Sequence, residues 1–474
     1  MSEIRNTNPA QAKLIPETLG GEIKSFMWLG IPLAFAQLVQ FMVYTIDAVM
    51  IGRLGQTELA ASSLGIVMFF IIWMLGSGAV FAVTPLVSQA IGANQNERHD
   101  VRITVRMSLW GVMFLIPLAI AFAAAAYPIS IMTGQDPEVS KLASEYLWML
   151  IPGFPFALGI MALRNFLASI EKTWFPLVLT ALVVAFNTLL NYLLIYGHFG
   201  FPRLELVGAG IASSLAYAFS FGIFGLYCYL DKDAKSFRVF KRIWRPHWSR
   251  FRKLVKLGWP MSVTTFFEGM LFNICVFVVG IIGVAEQAAY HVGLNVAALC
   301  FMLPFGMSMA GSVRVGHAAG ARNLPALKRA SFVTFGICMM LMAGLALLVA
   351  NNAEPITAFY LSDNEAEART IAASFLPIAA AFMLFDASQV VANQLLRGMK
   401  DVNWPMVLTG ISYWIVGFPV VIWLGLYTPL GAVGVWYGLM AGLAVAAFTL
   451  GWRFYHLVWR SPEVIFQRAT DDNM

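Results

Sequence analysis

Residues 28–52 read WLGIPLAFAQLVQFMVYTIDAVMIG, from Trp28 to Gly52, and Asp47 is the one charged side chain among them. An α-helix needs about twenty such residues to cross roughly 30 Å of hydrocarbon. The strict apolar and polar alternation of a membrane β-strand is missing. The stretch therefore reads as a membrane-spanning helix. Similar runs recur near 63–88, 105–127, 145–167, 175–197, 207–229, 257–280, 290–313, 331–351, 371–396, 406–426 and 430–455, which with 28–51 makes twelve. Of 474 residues, 59% are hydrophobic and 12% charged, against roughly 25% charged in a soluble domain. The expected fold is an all-α integral membrane protein of twelve transmembrane helices.

The opening stretch also has a second copy. Leu29-Gly30-Ile31-Pro32 reappears as Leu257-Gly258-Trp259-Pro260, which sets Gly258 against Gly30 at an offset of 228. At the same offset Gly52 matches Gly280, Gly55 matches Gly283, Glu58 matches Glu286 and Gly65 matches Gly293. Gly78 matches Gly306, and Gly92-Ala93 matches Gly320-Ala321. Leucine and alanine identities between apolar segments mean little, but glycines and prolines held in register over such a length mark a duplication. Two pseudo-symmetric six-helix bundles follow, 28–229 and 257–455. They are flanked by an N-terminal segment 1–27, a basic linker 230–256 and a tail 456–474. Each half begins on the same side of the membrane, so the repeat is parallel, an arrangement in which one bundle can rock against the other.

Of 31 lysines and arginines, four (Arg53, Lys141, Arg203, Arg369) fall on one side of this topology and the rest on the other. The positive-inside rule makes the rich side cytoplasmic and places both termini there. The net charge of +6 then reports topology, and no nucleic-acid partner is expected. The first 25 residues are polar without an apolar core, so no cleaved leader is expected. The linker interleaves cations with aromatics, Val239-Phe240-Lys241-Arg242-Ile243-Trp244-Arg245. That pattern suits an amphipathic segment in the headgroup layer, leaving the halves free to move. Cys228, Cys275, Cys300 and Cys338 lie singly within spans, which fits neither a disulfide framework nor a zinc site. No phosphate loop, GxSxG or HExxH is present, so no enzyme is indicated, and energy must come from an ion gradient.

Carboxyl groups at membrane depth cost roughly 2.5–3.5 kcal/mol each at a helix centre, so each invites a function. Asp47, Glu268 and Asp386 stand out. The sequence offers them no arginine inside a helix, with Arg53, Arg314 and Arg397 read as helix-end groups. Such acids persist by holding a proton or binding a cation, and a group that alternates between the two couples transport to an ion. They also attract a cationic, lipophilic substrate. At the 228 offset Glu268 corresponds to Gln40 and Asp47 to Cys275, so the halves share a scaffold without sharing charges. Asn187 and Asn191, one turn apart, can line the first half with Asp47 and Gln40. Gln37, Phe267 and Asn295 are further cavity candidates, and Pro32 and Pro260 occupy matching places where a helix can bend. The 24 methionines and 37 phenylalanines allow an adaptable apolar cavity.

Thr45-Ile46-Asp47-Ala48-Val49-Met50-Ile51-Gly52, Phe266-Phe267-Glu268 and Asp386-Ala387-Ser388-Gln389-Val390-Val391-Ala392 together resemble the multidrug and toxic compound extrusion (MATE) family in its bacterial NorM branch. Leu395-Leu396-Arg397-Gly398-Met399-Lys400-Asp401 and Ser412-Tyr413-Trp414 extend the likeness, which runs from about 25 to 455. The resemblance implies a MATE/MOP-type fold and a monomer in the bacterial inner membrane. It implies antiport of cationic drugs against Na+ or H+ by alternating access, with no other cofactor. Glu268 and Asp386 match the acids associated with holding Na+ or H+, Asp47 the acid of the first helix, and Pro32 a bending proline. Archaeal relatives carry an asparagine and an aspartate on the fifth helix, where this chain has Asn187 and Asn191. That departure moves the expected coupling site to Glu268 and Asp386. The alternative within the superfamily is a flippase of lipid-linked saccharide precursors, whose cavities are usually lined with arginines.

Overall fold

A computed structural model describes residues 14–94, 97–361 and 365–470, so the start of the N-terminal segment and the end of the tail lie outside the described residues. Among the described residues, twelve helices are long and apolar enough to span a membrane: α1 Leu19–Gly52, α2 Gln56–Ala93, α3 Arg98–Met132, α4 Pro137–Ser169, α5 Trp174–Tyr196, α6 Glu205–Leu230, α7 Trp248–Ile282, α8 Val284–Gly320, α9 Leu324–Asn351, α10 Ala366–Gly398, α11 Asn403–Leu426 and α12 Gly431–Arg460. They match the twelve apolar runs one for one, and most extend beyond them. The reason is that hydropathy marks only the hydrocarbon-crossing part, whereas a helix continues until a cap stops it. Asp136 caps α4 by accepting from Glu138 N at 2.8 Å. Asn323 caps α9 by accepting from Ala326 N at 3.0 Å. Gly197, at φ 75°, closes α5 in the left-handed region that suits glycine. Ile281, Phe332 and Phe448 are 73%, 69% and 74% exposed. Large side chains left bare in this way are expected where lipid, not water, is the solvent.

The chain divides into two compact units. The C-terminal unit holds residues to Ala34, Gly92–Asn94 and those from Val263, and the N-terminal unit holds Phe35–Ile91 and Gln95–Ser262. The division runs inside α1 and α7. Leu19–Ala34 groups with the C-terminal unit, and the start of α7 as far as Ser262 groups with the N-terminal unit. Phe35 and Val263, where membership changes, are themselves repeat partners, so the exchange obeys the repeat.

Glycines explain the exchange. In the N-terminal unit, a methyl group on Gly78 of α2 would collide with the main-chain carbonyl of Gly258 and the hydroxyl of Ser262 on α7. In the C-terminal unit, one on Gly306 of α8 would collide with the backbone of Leu33 and Ala34 on α1. Only a residue without a side chain lets helix backbones approach so closely. Gly78 and Gly306 are repeat partners, so the register seen in the sequence is the register of two helix crossings. Away from these crossings, the N-terminal unit packs around Tyr146, Leu147 and Phe154. The C-terminal unit packs around Tyr290, Phe375, Phe382 and Trp436.

The linker is not free. Asp231 caps a short helix, Lys232–Phe237, by accepting from Asp233 N and Ala234 N at 3.1 and 3.0 Å. Phe237 packs edge-on against Phe166. Arg106 and Trp110 of α3 donate to the carbonyls of Arg242 and Ile243 at 2.9 and 2.7 Å. Every one of these contacts lies within the N-terminal unit, so the linker is fastened to that unit. The tail is held as well. Its helix Pro462–Thr470 buries Ile465 and places Arg468 Nη1 at 2.9 Å from Asp401 Oδ1.

Candidate functional site

Each unit gathers one of the acid groups. In the N-terminal unit, α1 and α5 bring Asp47 and Asn191 together, with Asn191 Nδ2 donating to Asp47 Oδ1 at 2.5 Å. Asn191 Nδ2 also lies 3.4 Å from Asn187 Oδ1, as expected for residues one turn apart. All three are buried, at 8%, 3% and 0% exposure for Asp47, Asn187 and Asn191. The fit of α5 on α1 is fixed by Tyr196, whose hydroxyl donates to Met50 O at 2.8 Å. About two turns toward the start of α1, Gln40 accepts from Arg164 Nη1 of α4 at 2.6 Å.

Gln40, Tyr44, Asp47, Arg164, Asn187 and Tyr217 line one cavity of about 80 Å³. Drug pockets run to roughly 300–1,000 Å³, so this conformation has room there for waters or an ion, not for a whole drug. Arg164 corrects the reading that no arginine within the helices accompanies the acids. Its place near the end of an apolar run hides it, because sequence shows depth along a helix but not what an inward turn faces.

In the C-terminal unit, α7 and α10 bring Glu268 and Asp386 to the same group. Gln389 Nε2 donates to Glu268 Oε1 at 2.8 Å. Gln389 lies one turn after Asp386, hence on the same face of α10. Asp386 is 6% exposed and Gln389 fully buried. Asp386 Oδ1 and Gln389 Oε1 are buried acceptors with no hydrogen-bond partner among the described residues. Arg397, about three turns further along α10, is buried and donates to Thr265 Oγ1 at 3.4 Å. Thr265 precedes Glu268 by about one turn, and the guanidinium acts electrostatically on that carboxylate. Arg397 stands in the last turn of α10, as the sequence places it, and the second correction is that it is buried and bears on Glu268.

The motif Ser412-Tyr413-Trp414 falls in a π-helical stretch, Ile411–Gly417, inside α11. A π-turn re-aims the side chains around it and often marks a functional site. Here Trp414 meets Phe267 edge-on, with centroids 6.3 Å apart. Tyr413 is buried, and its hydroxyl has no partner among the described residues. Phe267, beside Glu268, is therefore part of the packing under the acid group.

Gln37 is half-buried on α1 and Asn295 exposed on α8, and neither lines the cavity that holds Asp47. Pro32 and Pro260 are buried inside α1 and α7, each just ahead of the point where its helix changes unit. Arg314 is a third correction. Expected at a helix end among headgroups, it is 3% exposed and pairs with Glu22, Nε to Oε1 at 2.9 Å and Nη2 to Oε2 at 2.8 Å. Among the described residues, no three His, Cys, Asp or Glu side chains cluster as metal ligands.

Sequence reasoning misses the part that Gln389, Arg164 and Arg397 play at these sites. For Gln389 the signal exists, in its spacing from Asp386. For the arginines there is none.

The model of the MatE family matches residues 32–193 and again 260–423. The two matches open on Pro32 and Pro260, the repeat partners noted above. A "Probable multidrug resistance protein NorM" of Rhizobium meliloti is 37% identical over 448 residues, covering 92% of this chain and 94% of its own. A protein of the same name from Rhodopseudomonas palustris is 36% identical over 443 residues, with 92% of each chain covered. A crystal structure of a variant of the Vibrio cholerae MATE transporter VcmN superposes with a TM-score of 0.85 at 18% identity, covering 95% of this chain and 99% of that one. That last likeness is one of fold.

Proposed function

The chain belongs to the MatE family, and on that premise we propose that it exports cationic, amphiphilic drugs from a bacterial cell in exchange for Na+ or H+. Its bacterial relatives bear the name of multidrug resistance proteins, and twelve apolar spans suit a multi-pass membrane transporter. On this reading the protein is a transport protein and not an enzyme. It works as a monomer in the inner membrane with both termini in the cytoplasm, and its two units alternate access.

The observation that carries the coupling step is the group at Glu268, Asp386 and Gln389. Two carboxyl groups and an amide converge, and two of their oxygen acceptors are buried without partners among the described residues. A hard cation such as Na+ prefers oxygen donors, and a proton on either carboxylate serves the same end. Both satisfy acceptors that hydrocarbon would otherwise leave bare. Arg397 supplies a fixed positive charge beside Glu268, so that the group need not hold two uncompensated negative charges when the ion leaves. The N-terminal cavity, with Asp47 held by Asn191, is the place for the positive end of a drug or for a second proton.

The test is drug efflux from vesicles of the purified chain under separately imposed Na+ and pH gradients, with ethidium as the drug. Export driven by at least one gradient is expected. No ethidium movement under either gradient overturns the reading.

A further inference from the structure

The basic segment between the halves takes no part in the transport steps above, yet its charges converge on one point. Arg106 of α3 is 6% exposed, and its Nε has no hydrogen-bond partner among the described residues. Arg102, one turn earlier, and Arg242 and Arg245 of the linker lie near enough to act on it electrostatically, and all three are cations. The acid on the same stretch, Asp100, is engaged by Arg250 at 2.6 Å. The backbone that carries two of these side chains is held by the fold, although the Arg242 and Arg245 side chains themselves are exposed. Arg106 Nη1 holds the carbonyl of Arg242 at 2.9 Å, and Trp110 Nε1 holds that of Ile243 at 2.7 Å. The turn is drawn tight by left-handed residues at Arg238 and Arg242, with φ 49° and 57°. Four guanidinium groups gathered in this way repel one another unless an anion lies among them.

Beside the arginines lies an apolar surface open to the surroundings. Trp110, Phe114, Trp248 and Phe251 contact one another in a chain, with neighbouring centroids 5.5–6.0 Å apart. Phe114 and Trp248 are 50% and 56% exposed. Trp248 opens α7 and Arg102 lies in the first turns of α3, which sets the arginines toward one face of the membrane, with Phe114 further along α3. Interfacial tryptophans with adjoining basic groups are what a phospholipid meets with its chains and its phosphate.

We propose that the arginines at 102, 106, 242 and 245 bind the phosphate of an anionic phospholipid, whose chains lie along Phe114 and Trp248. The lipid then bridges α3 to the linker and fixes the start of α7 within the N-terminal unit. A free phosphate shares the headgroup chemistry but gains nothing from the aromatic surface.

The full chain, purified in detergent, is titrated with dioleoylphosphatidylglycerol or dioleoylphosphatidylcholine, and bound lipid is counted by native mass spectrometry. Wild type is expected to prefer the anionic lipid. The variant R102Q/R242Q/R245Q leaves Arg106 and the carbonyl of residue 242 in place. It is expected to bind the anionic lipid on the order of 100-fold more weakly, with binding of the neutral lipid unchanged. The control R322Q/K328Q/R460Q removes as much charge elsewhere and is expected to keep the preference. If the triple variant does not fold, the exposed Arg245→Gln alone is expected to cost about fivefold. The proposal is overturned if the arginine variant retains the preference, if the control loses it equally, or if millimolar inorganic phosphate displaces the lipid completely.

Discussion

Gly78 of α2 lies so close to the carbonyl of Gly258 on α7 that no side chain fits between the two backbones. The repeat builds the same crossing again, where Gly306 of α8 meets Ala34 of α1. The 228 offset that carries Gly78 to Gly306 also carries Ala34 to Ser262, whose hydroxyl is the second group against Gly78.

These two crossings should be intolerant of any side chain. Gly258→Leu or Gly306→Leu is expected to destabilise the protein by about 1–3 kcal/mol or more, because backbone and not a yielding side chain stands in the way. Gly344→Leu, where the space is open, is the control. Thermal unfolding in detergent checks the contrast, and equal midpoints for all three variants would refute it.

Removing charge from the C-terminal acid group should uncouple export. Glu268→Gln and Asp386→Asn are each expected to lower ion-driven ethidium export about tenfold or more, the scale of losing roughly 1.4 kcal/mol of ion binding. Folding should be kept, since an amide can still hydrogen-bond with Gln389. Vesicle efflux beside a thermal melt separates the two effects, and undiminished export in both variants contradicts the assignment.

Asn191→Leu removes the donor that Asp47 receives at 2.5 Å. Leaving a buried carboxyl oxygen without its partner is expected to cost about 1–3 kcal/mol. Asp47→Asn in the same background should recover part of that loss. A double-mutant cycle by thermal unfolding measures it, and strictly additive effects argue against the pairing.

Glu22 and Arg314 are 1% and 3% exposed, so either single change strands a buried charge. Glu22→Gln or Arg314→Gln alone is expected to cost roughly 3–5 kcal/mol, and the double change less than the sum of the two. Denaturation of the three variants decides it, and a double variant as unstable as the sum speaks against a coupled pair.

Much of this is legible in the sequence, and the reason differs from residue to residue. Asp47, Glu268 and Asp386 stand out because a carboxyl group in an apolar run is costly. Asn187 and Asn191 declare a shared face by their spacing. Arg164 and Arg397 do not, because a cation near the end of a run looks like any arginine that reaches for headgroups. The linker looks free because its composition suits a membrane surface. Its anchoring depends on main-chain carbonyls of Arg242 and Ile243, which every residue possesses and no sequence displays.

The sequence by itself determined the twelve spans, their duplication and the acids, since hydropathy, register and the cost of buried charge are local or periodic properties of the chain. Only the tertiary structure decided that α1 and α7 change units at Phe35 and Val263, and which amide or guanidinium meets each acid. Those outcomes depend on which helix faces meet, and close approach at Gly78 and Gly306 selects among pairings that the apolar pattern leaves equivalent.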